Sequence, residues 1–479
     1  MASTSTITSL GVGSGLDAES IVTKLVTLER LPITQLQTQA DKIQAKISAF
    51  GQIQSAVSTF RDAARKLANP DIWGTVAATS ANASAVSFST STGAATGNYA
   101  VTVSSLAKAQ STAMRTAVSA TDTLGSGTLT FNTGVMGTGG IATPTKTTQV
   151  TIAATDTLDN IKDKVNAAGA GVRASVVSDA NGSRLVFTST DAGKANAFTV
   201  SADTTGGAAG TAAVGLAALA YSGTDNSAEA ERTQEATNAI AKVNGVQVES
   251  ATNTFSGALT GITFTVGQTT AADAPVNVTV SQDTDTIAKA INDFATSYTS
   301  MVNLLRDNTK YDDSTKTAGT LQGDGTALNL LNQFRSLAGS STTASSTYGT
   351  LSSVGVSIQE GGGLTVDSTK LKNALGNLAE VKKLFSFADT SNSGKDGVAT
   401  KLRTLADNML AFDGALANRT SGLRSAVTRN QKQQDTLDAR AALYEKRLRA
   451  QYTSLDTTMA TLNTASNYVT QMINAYNKG

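Results

Sequence analysis

The stretch that decides the fold is LDARAALYEKRLRAQYTSLDTTMATLNTASNYVTQMINAY, residues 437–476. Apolar residues recur in it at steps of four and three, the heptad spacing of a helix that packs along a seam. The step of four from Leu448 to Tyr452 is a stutter in that spacing. Because neither Pro nor Gly interrupts the stretch, it predicts one helix of about 40 residues and about 60 Å. The seam residues are Leu437, Ala441, Tyr444, Leu448, Tyr452, Leu455, Met459, Leu462, Ser466, Val469, Ile473 and Tyr476.

The N-terminal region carries a second seam. Asp17 is the predicted cap of its helix, since a carboxylate there accepts hydrogen bonds from free backbone N–H groups. Pro32 is expected to kink or divide this helix. Two long seams at opposite ends of one chain are most economically buried against each other, antiparallel, and then against other copies. The N-terminal seam residues are Leu36, Ala40, Ile43, Ile47 and Phe50, followed after a phase slip by Ile53, Val57, Phe60, Ala64 and Leu67.

The region between the seams divides into a β-rich middle and further helices. Alternation at period two predicts strands at 85–89, 99–103, 184–188 and 261–266. Asn181-Gly182 and Asn244-Gly245 are tight-turn dipeptides, and one helix is predicted from Thr157 to Ala168. The Ala- and Gly-rich stretch 203–220 indicates loops or weakly packed edges. Amphipathic spacing predicts helices at 286–306, 326–337, 368–385 and 400–416, the last with Phe412 and Leu416 on its apolar face.

The predicted fold is therefore α+β and multidomain. Long terminal helices form an antiparallel coiled-coil stalk and a helical bundle, and these enclose inserted all-β or β-rich domains. Four domains are expected, and they are nested along the chain. The first three in the list below are each formed by two segments, and the next domain is inserted between those segments. They are a terminal coiled-coil leg (1–45 and 437–479), a helical bundle (46–76 and 281–436), a β domain (77–112 and 232–280) and an outer β-rich domain (113–231).

Composition argues against most catalytic and binding classes. The chain has no His and no Cys, which removes the commonest general base and metal ligand and every disulfide. With 38 basic and 37 acidic residues, nothing indicates nucleic acid as a partner. No apolar run is long enough for membrane insertion, and the first residues do not look like a cleaved signal. We expect no enzymatic activity, no cofactor and no metal; the Gly-rich 11–17 is interpreted as a hinge and 389–397 as a solvated loop.

Several stretches resemble one family, the bacterial flagellar filament-capping proteins, also called the hook-associated cap family. They are GVGSGLDAESIVTKLVTLERLPITQL (11–36), GNYAVTVSSLAKAQ (97–110), VNGVQVESATNTFSGALTGITFTV (243–266), LSSVGVSIQEGGGLTVDSTKL (351–371) and KRLRAQYTSLDTTMATLNTASNYVTQM (446–472). Residues 157–190 are similar to a repeat shared by flagellar axial proteins. The stretches occur in the family's order and cover most of the chain; 191–235 has no counterpart that we can place.

The resemblance implies a structural cap at the distal end of the filament, exported through the flagellar type III apparatus and located outside the cell at the tip. The cap promotes insertion and folding of exported flagellin and prevents its loss. The implied partners are flagellin, an export chaperone and the chain itself, as a ring that is most commonly a pentamer, with tetramers and hexamers as alternatives. Other functions stay open: a hook–filament junction protein, or an adhesin whose β domains bind host surface or mucin glycans.

Two sets of residues follow as candidate sites on the terminal helices. The oligomer or filament contacts are expected at Leu36, Ile43, Ile47, Leu437, Tyr444 and Leu448. The export-chaperone or terminal-helix contacts are expected at Tyr452, Leu455, Met459, Leu462, Val469 and Ile473. An apolar stripe is usually core, but a helix about 60 Å long extends beyond a compact domain, which favours burial between chains.

Overall fold

The computed structural model describes residues 17–224 and 228–477. It forms two compact units, Gly74–Asp283 and the residues on either side of that insertion. The predicted α+β multidomain class, with β-rich structure inserted between two helical halves, is confirmed. The helices are α1 Ala18–Ala68, α2 Leu158–Ala168, α3 Thr284–Thr309, α4 Gly325–Ala338, α5 Ser368–Leu375, α6 Leu378–Ser386, α7 Val398–Leu410 and α8 Ala415–Tyr476.

Helix α1 begins as predicted but is not divided at Pro32. The Asp17 carboxylate accepts a hydrogen bond from the Ser20 N–H at 3.0 Å, which caps the helix. The helix then continues through Pro32 to Ala68, so the prediction of a divided helix is wrong. Proline removes the donor to the carbonyl of Leu28, and Leu28 is 65% exposed, so water can satisfy that carbonyl.

The helical unit is built around one apolar core. Phe60 of α1 is fully buried, and its ring lies 5.4 Å from Phe294, 5.5 Å from Tyr298 and 5.6 Å from Phe334. Trp73 stacks on Phe385 at 5.8 Å, while its indole N–H donates to the Leu67 carbonyl at 2.8 Å. The inner half of α1 therefore packs against α3, α4 and α6, which confirms its predicted bundling.

Two helices of this unit differ from the sequence prediction. The stretch 368–385 forms α5 and α6, separated at Gly376 and Asn377, rather than one helix. The predicted helix 400–416 ends at Leu410, and Phe412, placed on its apolar face, is 98% exposed. A turn closes there because the Gly414 N–H donates to the Ala411 carbonyl. A Cβ at Gly414 would lie 2.6 Å from two carbonyl oxygens, so glycine is required.

Buried or half-buried carboxylates fix the ends of helices in the bundle. Asp324 caps α4 and accepts two hydrogen bonds from the Arg419 guanidinium, at 3.0 and 2.6 Å, which ties α4 to α8. Glu380 of α6 accepts hydrogen bonds from Lys383, from the Ser345 hydroxyl and from the Ser346 N–H, each at 2.7 Å. Stabilisation of the charged form by these donors lowers the pKa of Glu380 to about 2.

The strands lie mainly in the inserted unit, with two short hairpins in the helical unit. They are β1 Val76–Ser80, β2 Val86–Thr90, β3 Gly97–Ser105, β4 Ser111–Ala113, β5 Gly127–Gly134, β6 Lys146–Ile152, β7 Val172–Asp179, β8 Gly182–Ser189, β9 Ala197–Asp203, β10 Glu231–Gln234, β11 Ala239–Val243, β12 Val246–Ser250, β13 Thr254–Leu259, β14 Ile262–Val266, β15 Val276–Gln282, β16 Tyr311–Asp312, β17 Thr317–Ala318, β18 Val356–Ile358 and β19 Leu364–Val366. The strands predicted at 85–89, 99–103, 184–188 and 261–266 correspond to β2, β3, β8 and β14.

Two pairs of antiparallel sheets build the inserted unit. The order β1-β15-β3-β11-β12 packs against β13-β14-β2 over a core that includes Val101, Val103 and Phe264. The order β10-β4-β8-β7 packs with β6-β5-β9 and α2 over a second core, where the Phe131 and Phe187 rings meet edge to face at 5.2 Å. Alternate residues point to the same face, which is why the period-two pattern marks these strands.

The two predicted turns and the Ala- and Gly-rich stretch agree with the structure to different extents. Asn244 and Gly245 have φ values of 49° and 87° and close the β11–β12 hairpin, as predicted. In the β7–β8 hairpin Asp179 pairs with Gly182, so the loop is Ala180-Asn181, one residue earlier than predicted. The stretch 203–220 is not weakly packed throughout, because Leu216 and Leu219 are buried in the second core.

Candidate functional site

The terminal helices α1 and α8 pair antiparallel, as their seams predict. The Arg449 guanidinium donates to both carboxylate oxygens of Glu19 at 2.7 Å. Further along, Arg440 lies 3.0 Å from the Glu29 carboxylate, and the Asn430 amide donates to the Leu36 carbonyl at 3.0 Å. Residues later in α1 thus pair with residues earlier in α8, so the two helices run antiparallel. Together they form a long leg made from both ends of the chain.

An apolar cluster joins the two helices of this leg near the start of α1. Val22, Val26 and Leu448 are buried against one another, with Leu25, Tyr444 and Tyr452 packed around them. Three predicted site residues, Tyr444, Leu448 and Tyr452, therefore pack within a single chain. Beyond Tyr452, no described residue of α8 joins a buried apolar cluster.

The other predicted contact residues of the leg lie later in α1 and earlier in α8. Ile43 and Ile47 are half-buried against the bundle core. Leu36 and Leu437 line a groove of about 550 Å³ between α1 and α8, together with Pro32 and the polar side chains of Gln35 and Thr436. The groove offers accessible apolar surface, whereas Ile43 and Ile47 pack against the bundle core.

The distal part of α8 exposes its apolar stripe. Leu455, Leu462, Val469 and Ile473 are 42%, 57%, 54% and 55% exposed, and Met459 is half-buried. The predicted site residues therefore separate into an inner group, which packs within the chain apart from the groove at Leu36 and Leu437, and this distal stripe, which the described part of the chain leaves open. Contiguous exposed apolar surface is uncommon on soluble monomers.

Sequence reasoning missed the polar contacts that fix the leg. Arg449 lies between Glu19 and Glu445; its hydrogen bonds lower the pKa of Glu19, and the two carboxylates raise the pKa of Arg449. Both groups therefore stay charged across the physiological range. The Gln434 amide donates to the buried Asn430 side chain. The i,i+4 spacing of Glu445 and Arg449 is visible in the sequence, but a pair 430 residues apart is not.

The described residues show neither a metal-binding cluster nor a membrane-spanning helix. Within residues 17–224 and 228–477, no group of His, Cys, Asp and Glu side chains is arranged to hold a metal ion. No helix among them is long and apolar enough to cross a membrane. In the loop 389–397, the Asp389 carboxylate accepts hydrogen bonds from the Ser391 and Asn392 N–H groups and so closes a turn. The glycines of 11–15 lie outside the described residues.

Three family models match the chain. The model described as the flagellar hook-associated protein 2 N-terminus covers residues 14–110, and the corresponding C-terminus model covers 236–464. A model described as the flagellin hook IN motif covers 128–191, which agrees with the axial-protein repeat expected at 157–190.

Relatives match over almost their whole length. The flagellar hook-associated protein 2 of Escherichia coli is 32% identical, with 97% of each chain covered. The protein of the same name from Salmonella typhimurium is 30% identical, over 98% of this chain and 99% of its own. A crystal structure of the flagellar cap protein FliD from Escherichia coli is 30% identical and covers 78% of this chain and 99% of that one, with a TM-score of 0.59.

These relatives and the two-unit fold support the same conclusion. The function is that of a filament cap, at the extracellular tip of the flagellum, and none of the relatives named here supports the adhesin alternative. With 32% identity over 97% of its length, the chain belongs to the flagellar hook-associated protein 2 family, the structural cap proteins of the bacterial flagellum.

Proposed function

We propose that copies of this chain form a ring at the filament tip and that the distal part of α8 makes the contacts that hold the cap in place. The observation that carries this proposal is the exposed stripe Leu455, Leu462, Val469 and Ile473, which lies beyond Tyr452, the last residue of α8 that packs in a buried apolar cluster of the described chain. A helix with such a stripe gains stability only when another surface covers it.

The leg has two parts with different tasks. The inner part, with Tyr444 and Leu448 in the apolar cluster and Arg449 paired to Glu19, fixes the direction of α8. Ile43 and Ile47 join the leg to the bundle, and the groove at Leu36 and Leu437 offers a second, smaller contact surface. The distal stripe then contacts other subunits or the flagellin lattice, where many moderate contacts can be exchanged as flagellin is added.

Ring symmetry supplies the movement of the cap. Identical subunits in a closed ring present identical legs. If the ring and the filament differ in symmetry, the legs cannot all reach equivalent positions at once. Adding one flagellin would then change which leg is strained, and the cap would advance. The pentamer is the proposed ring, with tetramer and hexamer as alternatives.

The same stripe explains the need for a partner before export. In the single chain its apolar side chains face solvent. Such a surface promotes aggregation. We infer that an export chaperone covers Tyr452, Leu455, Met459, Leu462, Val469 and Ile473 inside the cell. Tyr452 marks one end of this surface because it also packs on α1.

The domain scheme carries over as a proposal. The leg (1–45 and 437–479) and most of the bundle (46–76 and 281–436) lie in the helical unit, and the two β domains lie in the inserted unit, which also includes residues 74–76 and 281–283. Separate apolar cores support the subdivision of the β unit into 77–112 with 232–280 and 113–231. We also infer that the protein is structural rather than enzymatic, since its proposed work depends on helix packing.

The test is the location and activity of the chain in a bacterium that lacks its own cap. A tagged full-length chain is expected at the distal ends of filaments in electron micrographs, and the cells are expected to stop releasing monomeric flagellin. A label at the filament base would indicate a junction protein instead. Filament growth without any label at the tips would contradict the proposal.

A further inference from the structure

The distal part of α8 differs from the rest of the helix in charge. From Arg419 to Arg449 charged side chains recur along α8, as is usual for a helix with one face in water. From residue 450 to residue 477 the charged residue is Asp456, and the remaining polar positions are Thr, Ser, Asn and Gln. Asp456 lies at the inner end of this segment, next to the charged part. Without charged side chains, the polar face of this segment costs less to remove from water than a charged face would.

Six threonine hydroxyl groups of this segment are satisfied by the helix itself. Each of the threonines listed below donates its hydroxyl to the backbone carbonyl four residues earlier, at 2.8 or 2.9 Å. Burying a hydroxyl is costly when it lacks a hydrogen-bond partner, and that cost is removed here. Removing these threonines from water would therefore leave no hydroxyl donor unpaired. The threonines are Thr453, Thr457, Thr458, Thr461, Thr464 and Thr470.

Large apolar side chains also occur away from the stripe. At about 100° per residue, Tyr468 lies about 140° around the helix from the stripe and Met472 about 100°. Both are exposed, at 64% and 57%. Apolar surface is thus distributed around the helix, and covering the stripe alone would leave these side chains in water.

From these observations we propose that the segment 457–475 is enclosed on all sides in the assembled cap, by the same segments of neighbouring copies. The proposal rests on the proposed function and adds the identity and extent of the partner surface. A neighbour with charges would bury them unpaired against this segment, which is unfavourable. A second copy brings an uncharged helix of matching character. Its seam also continues the α1–α8 seam, which places the copies side by side at the end of each leg.

The test introduces a charge on the face opposite the stripe. Thr464 lies about 180° from Leu455. In the full-length chain, Thr464→Lys is expected to weaken self-association by at least roughly 100-fold, measured by sedimentation across concentrations, because it buries an unpaired charge. Thr428→Lys is the matched control: Thr428 is exposed on the charged part of α8 and also donates to its own backbone, at 3.2 Å. It is expected to change self-association by less than roughly 3-fold.

A third variant, Leu462→Lys, separates this proposal from the proposed function. If Leu462→Lys dissociates the assembly and Thr464→Lys does not, the stripe is buried but the opposite face is not, and the enclosure is wrong. If Thr464→Lys leaves self-association intact but prevents capping of filaments, the enclosing partner is flagellin and not a second copy. If neither variant changes self-association or capping, the proposed function of the distal helix fails as well.

Discussion

Phe60→Ala is expected to lower the free energy of unfolding of the helical unit by ~3–5 kcal/mol. Phe60 is fully buried and its ring contacts Phe294 and Tyr298 of α3 and Phe334 of α4, so the truncation leaves a cavity that these packed neighbours cannot fill. Chemical denaturation followed by helical circular dichroism measures the change.

The matched control is Phe412→Ala, the same chemical change at a ring that is 98% exposed. It is expected to alter the free energy of unfolding by less than ~0.5 kcal/mol. Equal effects of the two substitutions would contradict the position of α1 at the centre of the bundle. The inserted unit, Gly74–Asp283, has its own cores, and its β signal is expected to melt unchanged in both variants.

A chain that ends after Tyr452 is expected to fold normally and to lose self-association by more than roughly 1,000-fold. The truncation removes Leu455, Leu462, Val469 and Ile473, and a buried apolar side chain of this size contributes about 1.5–3 kcal/mol. Tyr452 and the cluster around Leu448 are kept, so the leg retains its intramolecular contacts. Light scattering across concentrations measures the loss.

The thermal unfolding of this shortened chain serves as the control for its fold. Its midpoint is expected to match that of the unassembled full-length chain, because no described residue beyond Tyr452 belongs to a buried cluster. Unchanged self-association of the shortened chain would show that the ring is held by other surfaces. The groove at Leu36 and Leu437 would then be the next candidate.

The sequence predicts best where the structure is decided locally. Asn244-Gly245 closes a hairpin because both positions adopt positive φ, and the dipeptide alone indicates this. The heptad spacing predicts the part of α8 from Leu437 to Tyr476 and its antiparallel partner, because the apolar residues needed for the seam recur at a fixed interval. It does not predict that α8 begins at Ala415 and is 62 residues long. The family resemblance was confirmed by the comparisons over nearly the whole chain.

Features that depend on tertiary contacts were missed. Phe412 fits the amphipathic spacing of a helix, but α7 ends at Leu410. Backbone carbonyls approach Gly414 closely, and a turn from Ala411 to Gly414 follows the helix instead. Leu216 and Leu219 lie in an Ala- and Gly-rich stretch, and only the second β core shows why they are buried. Arg449 and Glu19 are brought together by the fold, so their pairing could not be read from spacing.

The central claim is that the distal part of α8 is exposed in the single chain and covered in the assembled cap. Because the chain has no cysteine, a single introduced thiol reports on its own position. Two variants each carry one cysteine, at Ser466 in the distal seam or at Ser421 on the inner part of α8. Both serines are exposed in the single chain. The measurement is the rate of maleimide labelling before and after assembly. The account predicts that assembly slows labelling at position 466 by at least tenfold and leaves position 421 unchanged, and equal labelling of both positions in the assembled cap would contradict it.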